Sequence, residues 1–256
     1  MLTAIGHVES IFRYPVKSMA GEKLDSANLG WQGLDGDRRF AFRRVDNRSG
    51  IPWLTASKLP DLLRYVPLCE HGAPEELPSH VRTPDGEVMS IFGEDLANDV
   101  GRRHGAAVQM MQLKNGIFDE AAISVIALST IDEIGRLVGS SLDVRRFRPN
   151  IAVRLLQPVP FQEDEWLGGT LSFGNHDGPA VAVTMRDLRC SMVNLDPDSA
   201  GSTPGIMKAI VGRNQNNAGI YGAVIRTGRL AVGQTVFLSS PQAREHTDNE
   251  AAKSQE

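Results

Sequence analysis

Hydrophobic residues in this chain fall mostly into short runs cut by glycine, proline and aspartate, a pattern of strands and turns rather than long helices. Thr3 to Val16 alternates loosely through Ile5, Val8, Ile11, Phe12 and Val16, which predicts a first strand ending at Pro15. Leu24–Leu29 and Arg39–Val45 read as further strands, with Gly30, Gly33 and Asp35-Gly36-Asp37 as turns between them. Leu62–Leu68 is another apolar run, Glu70–Ser79 reads as a loop, and Val108–Leu113 looks extended. Later strand candidates are Ile151–Leu155, Thr170–Phe173, Val181–Met185, Ile220–Ile225 and Thr235–Leu238. Helical spacing occurs in three places. Ser90 can cap a helix over Glu94–His104, although Gly93 and Gly101 weaken it. Thr130 and Glu133 form a capping box for a helix over Ile131–Val138, and Gly139 stops it. Pro204 opens a short helix to Val211 as its first residue. The sum is a mainly β fold with a few helices and barrel character. A Rossmann reading fails, because strands and long helices do not alternate and no Gly-x-Gly-x-x-Gly opens a helix.

Composition adds exclusions. At 256 residues, with 41% apolar and 23% charged positions, the chain can build a core without crosslinks. A net charge of −4 argues against a nucleic-acid partner. No apolar stretch is long enough to span a bilayer, and the N-terminus lacks a basic region followed by an apolar run. A cytoplasmic location without membrane attachment is therefore expected. The polar, aperiodic stretch from Pro241 to Glu256 reads as a frayed tail.

Two features carry candidate chemistry. Cys190, in Leu188-Arg189-Cys190-Ser191, has no nearby cysteine, the other being Cys69. A solitary thiol beside an arginine is a candidate nucleophile or soft-metal ligand, because positive neighbours favour the thiolate; free cysteines are also common as small buried hydrophobes. The second feature is a set of three basic runs at strand ends: Tyr14-Pro15-Val16-Lys17-Ser18, Leu34-Asp35-Gly36-Asp37-Arg38-Arg39-Phe40 and Arg145-Arg146-Phe147-Arg148-Pro149-Asn150-Ile151. Taken singly, each reads as a solvated edge with exposed ion pairs. Taken together they point to one anionic ligand, since arginine forks and a lysine point charge suit phosphate.

These runs, with Phe161-Gln-Glu-Asp-Glu-Trp166 and Arg189-Cys190 followed by Asp196-Pro197-Asp198, stand in the order found in MOSC proteins, and the chain resembles that family from about Ile5 to Leu238. The resemblance implies an N-terminal β-barrel subdomain (residues 1–95) packed on a MOSC-type β-barrel (96–240), followed by the tail (241–256). It further implies molybdenum cofactor (molybdopterin) held between the two. Carried over residue by residue, Lys17, Ser18, Arg38, Arg148, Asn150 and Arg189 match cofactor-binding positions, with Tyr221 a further contact. Cys190 matches the cysteine whose sulfur binds molybdenum, which makes it both metal ligand and catalytic residue. Asp119-Glu120-Ala121-Ala122 falls where the family lines the cofactor with a small hydroxyl residue; here that position is Ala121. The chain departs from the family at Met19, where a cysteine is frequent, at Phe40, where tryptophan is usual, and in a longer turn after Asp198.

The function implied is reduction of a small N-hydroxylated compound, with electrons from a separate flavoprotein or ferredoxin-like protein, since no clustered cysteines for an iron–sulfur centre occur. The alternative is a carrier of the cofactor, or of sulfur as a Cys190 persulfide. In that case pyridoxal phosphate belongs only to a partner sulfurase. A chain that binds nothing, with Cys190 buried, is the third reading. The acids Asp196 and Asp198 are available to move protons, although acids in an Asp-Pro-Asp turn commonly shape the loop instead.

Overall fold

A computed structural model describes residues 2–47, 50–69 and 76–239; the expected tail and residues 70–75 of the expected loop lie outside them. The chain runs through β1 (Leu2–Arg13), β2 (Glu22–Leu24), β3 (Ser26–Gly30), β4 (Gly33–Leu34) and β5 (Phe40–Arg44). It continues through β6 (Val66–Leu68), β7 (His80–Arg82), β8 (Val88–Ser90), α1 (Glu94–His104) and β9 (Val108–Gln112). Next come β10 (Ile123–Ala127), α2 (Leu128–Val138), β11 (Ile151–Leu155), β12 (Thr170–Phe173) and β13 (Ala180–Leu188). Last are α3 (Gly205–Asn214), β14 (Asn217–Arg226), β15 (Gly228–Ala231) and β16 (Thr235–Ser239).

The fold is mainly β, centred on a closed barrel. Its seven strands follow the order β11-β10-β14-β13-β12-β16-β1, and β1 pairs back to β11 to close the ring. Only β10–β11 is parallel among the ring's pairs. β1 lets the ring bend because its register shifts between Val8 and Ser10 against β11, and between Ala4 and Gly6 against β16. Gly6 sits where a Cβ would come within 2.4 Å of the Arg154 carbonyl, so this close approach requires glycine. Past His7, β16 gives way to β2, which pairs with Ile11–Arg13 on the same flank of β1.

Three apolar clusters organise the rest. Alternating inward positions such as Val8, Ile11, Val125, Val153, Phe173 and Val181 fill the barrel. Each such buried side chain contributes about 1.5–3 kcal/mol. A second cluster joins Val16, Met19, Phe40 and Phe42 to Leu96 and Val100 of α1 and Val108 of β9. A third binds α2 and α3 to the outside of the barrel through Ile126, Ile131, Ile134, Ile206 and Ile210. Chain order and core membership cross, since β1 lies in the barrel while α1 and β9 complete the second core.

Several local expectations change. The first strand stops at Arg13, because Tyr14 to Lys17 turn to pair with the chain entering β5. Leu24–Leu29 splits into β2 and β3 at Asp25. Ile123–Ala127 was not expected as a strand: its five residues are all buried, so no alternation marks it. Thr130 and Glu133 make no capping box. α2 begins at Leu128 with Ala127 as N-cap, while the Thr130 hydroxyl donates to Glu163 Oε2 at 2.8 Å and accepts from the Phe161 N–H at 2.8 Å. Glu133 instead pairs with Arg136 and Arg213. α1 has Gly93 rather than Ser90 as N-cap, and Pro204 is the N-cap of α3 rather than its first residue. Among the described residues no helix is long and apolar enough to cross a membrane.

Candidate functional site

The first basic run leaves β1 through a tight turn at Val16–Met19, closed by the Met19 N–H donating to the Val16 carbonyl at 3.2 Å. Ser18 takes a left-handed φ of 66° in it, a place that favours glycine. The second run turns at Gly36, whose φ of 79° suits glycine, and delivers Arg38 with a φ of 48°. The third follows a 3-10 turn over Val144–Phe147, capped by the Asp143 carboxylate accepting from the Arg145 N–H, and presents Arg148, again at a φ of 48°. Non-glycine residues held there cost roughly 1–3 kcal/mol each and persist where the surroundings over-determine them. Cys190 follows β13. Its loop is tied to Asn216 by reciprocal bonds with the Arg189 backbone, both 2.9 Å, and Val193 anchors it in the third cluster.

These segments converge. Lys17, Ser18, Arg38, Arg148, Arg189, Cys190 and Tyr221 line one cavity of about 270 Å³. That is close to the roughly 300–1,000 Å³ of small-molecule sites. Cys190 is exposed and forms no disulfide. Asn150 does not reach the wall. It is buried behind it, donating to Asp37 Oδ2 at 3.0 Å and the Phe12 carbonyl at 3.3 Å while accepting from the Ser124 N–H at 3.1 Å. Asp37 in turn accepts from the Tyr14 N–H at 2.7 Å and pairs with Arg38. Asn150 is thus a strut under the second basic run.

Most cations here already have carboxylates. Lys17 Nζ meets Asp119 Oδ1 at 2.5 Å, Arg38 pairs with Asp37, and Arg189 pairs with Asp187 and donates to the Phe147 carbonyl. Arg148 differs: it donates to the Met19 carbonyl at 2.7 Å and lies over the Tyr14 ring, with no carboxylate among the described residues. Its Nη2, and Nε of Arg189, are buried without a partner. Burial pushes Arg148 down to about 10 and lowers Lys17, although Asp119 opposes the shift on Lys17. Burial would raise Asp119, but Lys17, Arg38 and Arg148 outweigh it and hold the carboxyl below the usual range. Burial raises Asp187 against the pull of Arg189, and it keeps the Tyr221 hydroxyl protonated well above the usual phenol range.

The sequence did not mark Thr55, Ser57, Asp119 or Asp187 as contributors to this wall. Asp119 stands in a stretch that it did mark and Asp187 between two such stretches, and their role as counter-ions follows only from position. Ala121 is not on the wall, which takes Asp119 and Glu120 from that stretch instead. Asp196 and Asp198 do not face Cys190 either. The Asp196 carboxylate accepts from the backbone of Asp198 and Ser199 and pairs with Arg146, while Asp198 binds Arg145. Met19 is fully buried in the second core and contributes to the site through its carbonyl, and Phe40 is buried against Phe92 with ring centres 5.8 Å apart.

Orphaned guanidinium N–H groups and a free thiol on one wall suit a ligand with a phosphate and a soft metal. Among the described residues no group of three or more His, Cys, Asp or Glu side chains could hold a bare ion, so such a metal would bring most of its own ligands.

Comparisons with known proteins bear on this geometry. The family model described as the MOSC domain matches residues 100–237, and that described as the MOSC N-terminal beta barrel domain matches residues 5–125. No curated protein matches the chain. Among solved structures, the YUAD protein from Bacillus subtilis is similar with a TM-score of 0.51 and 16% identity, over 94% of this chain and 99% of that one. At that identity the likeness is one of fold. A hypothetical protein aligns with a TM-score of 0.44 and 11% identity, over 93% of this chain and 70% of its own. YiiM from Geobacillus stearothermophilus aligns with a TM-score of 0.36 and 20% identity, over 46% and 54%.

Proposed function

The chain belongs to the MOSC domain family, and on that footing we propose that it binds the molybdenum cofactor beside Cys190 and reduces N-hydroxylated compounds. The observation that supports this most is the exposed Cys190 on the same wall as Arg148 and Arg189, each of which keeps a buried donor without a partner, Nη2 and Nε. When bound, the cofactor supplies a redox-active molybdenum centre for the net reaction R–NHOH + 2e⁻ + 2H⁺ → R–NH₂ + H₂O.

The chain's own residues bind and orient. Arg148, Arg189, Arg38 and Lys17 offset the cofactor's phosphate charge, and the Cys190 thiolate is the soft ligand the protein adds. Lys17 is held by Asp119, so a phosphate approaching it must share or displace that carboxylate. Tyr221 keeps its proton at neutral pH and acts as a hydrogen-bond donor on the wall. Asp119, held ionised, is no proton donor there, so water delivers the two protons. The two electrons come from a separate flavoprotein or ferredoxin-like partner.

The test is metal content and turnover of protein isolated from cells that make the cofactor. About one molybdenum per chain, with reduction of an amidoxime by a reduced viologen, is expected. Metal-loaded protein without turnover would reject the reductase and leave a cofactor carrier. Cyanide-labile sulfur on Cys190 without metal would identify a sulfur carrier.

A further inference from the structure

A second cavity of about 430 Å³ lies against the first and shares Arg146, Arg148 and Met192 with it. Of the seven buried side-chain polar atoms left without a partner among the described residues, three belong to residues on this wall: Tyr14 Oη, Thr83 Oγ1 and Arg148 Nη2. Tyr14 and Thr83 are only 1% and 4% exposed. Leaving such a group unpaired costs about 1–3 kcal/mol, so the two hydroxyls, which line this cavity and not the first, call for a ligand that pairs them.

The charges say which kind. Arg82 lines the cavity, is exposed, and has no carboxylate among the described residues. Among the described residues Arg64 has only Asp61, at 3.6 Å, and Asp61 also faces Arg103 at 3.6 Å. Asp198, the sole acid on the wall among the described residues, is taken by Arg145 through bonds of 2.9 and 2.7 Å. The cavity therefore holds an excess of positive charge and hydroxyl donors. Between them lie apolar surfaces of Leu63, Val66 and Leu195.

We infer that this cavity is a separate binding site for a small organic phosphate of nucleoside-monophosphate size. Its phosphate pairs with Arg82, Tyr14 and Thr83, and its apolar body covers Leu63, Val66 and Leu195. The site rests on its own orphaned hydroxyls and on Arg82, none of which lines the cavity of Cys190.

The experiment is calorimetric titration with AMP, adenosine and inorganic phosphate. It is run on cofactor-loaded protein and on protein from cells unable to make the cofactor. AMP should bind both forms, about tenfold or more tighter than either fragment. Arg82→Ala should weaken AMP about tenfold and leave molybdenum content unchanged. Thr83→Val should weaken AMP without lowering the melting temperature, since it removes an unpaired hydroxyl. Absence of AMP binding, equal binding of adenosine and AMP, or indifference to both substitutions would overturn the inference. Binding confined to cofactor-free protein would also overturn it, by assigning the cavity to the cofactor's own phosphate. If the protein takes up no molybdenum, the reductase reading fails while the cofactor-free titration still decides this one.

Discussion

The Arg148 guanidinium lies 4.1 Å from the centre of the Tyr14 ring, while its Nη2 is buried with no partner. Its neighbour Arg38 also faces that ring, at 5.2 Å, but is paired with the buried Asp37. The two arginines should therefore respond differently to removal of charge. Arg148→Met gives up a bond to the Met19 carbonyl and the ring contact but relieves an uncompensated buried cation. It should cost the cofactor-free protein less than about 1 kcal/mol. Arg38→Met strands the Asp37 carboxylate and should cost about 3–5 kcal/mol. Urea unfolding of both variants measures the difference, and molybdenum content should fall in Arg148→Met although the protein stays folded.

The two cysteines should separate by alkylation. Cys190 is exposed on the cavity wall, whereas Cys69 is half-buried with its thiol on the Glu76 carbonyl at 3.4 Å, and burial raises its pKa. The thiolate is the reacting species. Iodoacetamide should label Cys190 well ahead of Cys69 in cofactor-free protein, and bound cofactor should protect it, as peptide mass spectrometry would show. Equal rates in both states would remove Cys190 from the metal site.

What the sequence made legible, and what it hid, follows from how each residue acts. Lys17, Arg38 and Arg148 stood out because cations at strand ends beside turns are conspicuous, Arg189 as the neighbour of a solitary cysteine, and the structure gathers all four with Cys190. Their counter-ions did not stand out: Asp119 and Asp187 are single acids whose partners lie far off in the sequence or in the immediate turn, and only folding picks them from many others. Asn150 sat in a legible motif but works from behind the wall, a distinction between touching a ligand and bracing an arginine that spacing cannot make. β10 escaped notice because both of its faces are buried, so the period-two signal is lost. Thr130 and Glu133 satisfied the spacing of a capping box, yet a carboxylate thirty-three residues downstream captured the threonine.

Asn150 offers a direct test of the bracing role. Asn150→Asp replaces the N–H₂ that donates to Asp37 Oδ2 at 3.0 Å by a second buried carboxylate oxygen. The variant should lose about 3–5 kcal/mol at neutral pH. Part should return on acidification, as one of the paired carboxyls takes up a proton. Denaturation at pH 5 and pH 8 would show the recovery, and a variant as stable as wild type at both would refute the strut.

Glu163 is buried under α2, with its oxygens accepting from the Thr130 hydroxyl at 2.8 Å and the Ala127 N–H at 3.4 Å. Burial pushes its carboxyl up to about 7 against these hydrogen bonds, from an ordinary 4.5. The folded state thus binds a proton that the unfolded chain has released, and the sign follows. Stability is unpenalised below the unfolded value near 4.5, declines as pH rises through about 7, and stays reduced above it. The loss is on the order of 3 kcal/mol. Glu163→Gln retains an acceptor for Ala127 and can donate to Thr130, so it should flatten the pH 5–8 stability profile and exceed wild type at pH 8. Parallel profiles for the two proteins would show that Glu163 remains ionised in the fold, with its charge compensated by the helix start it pins.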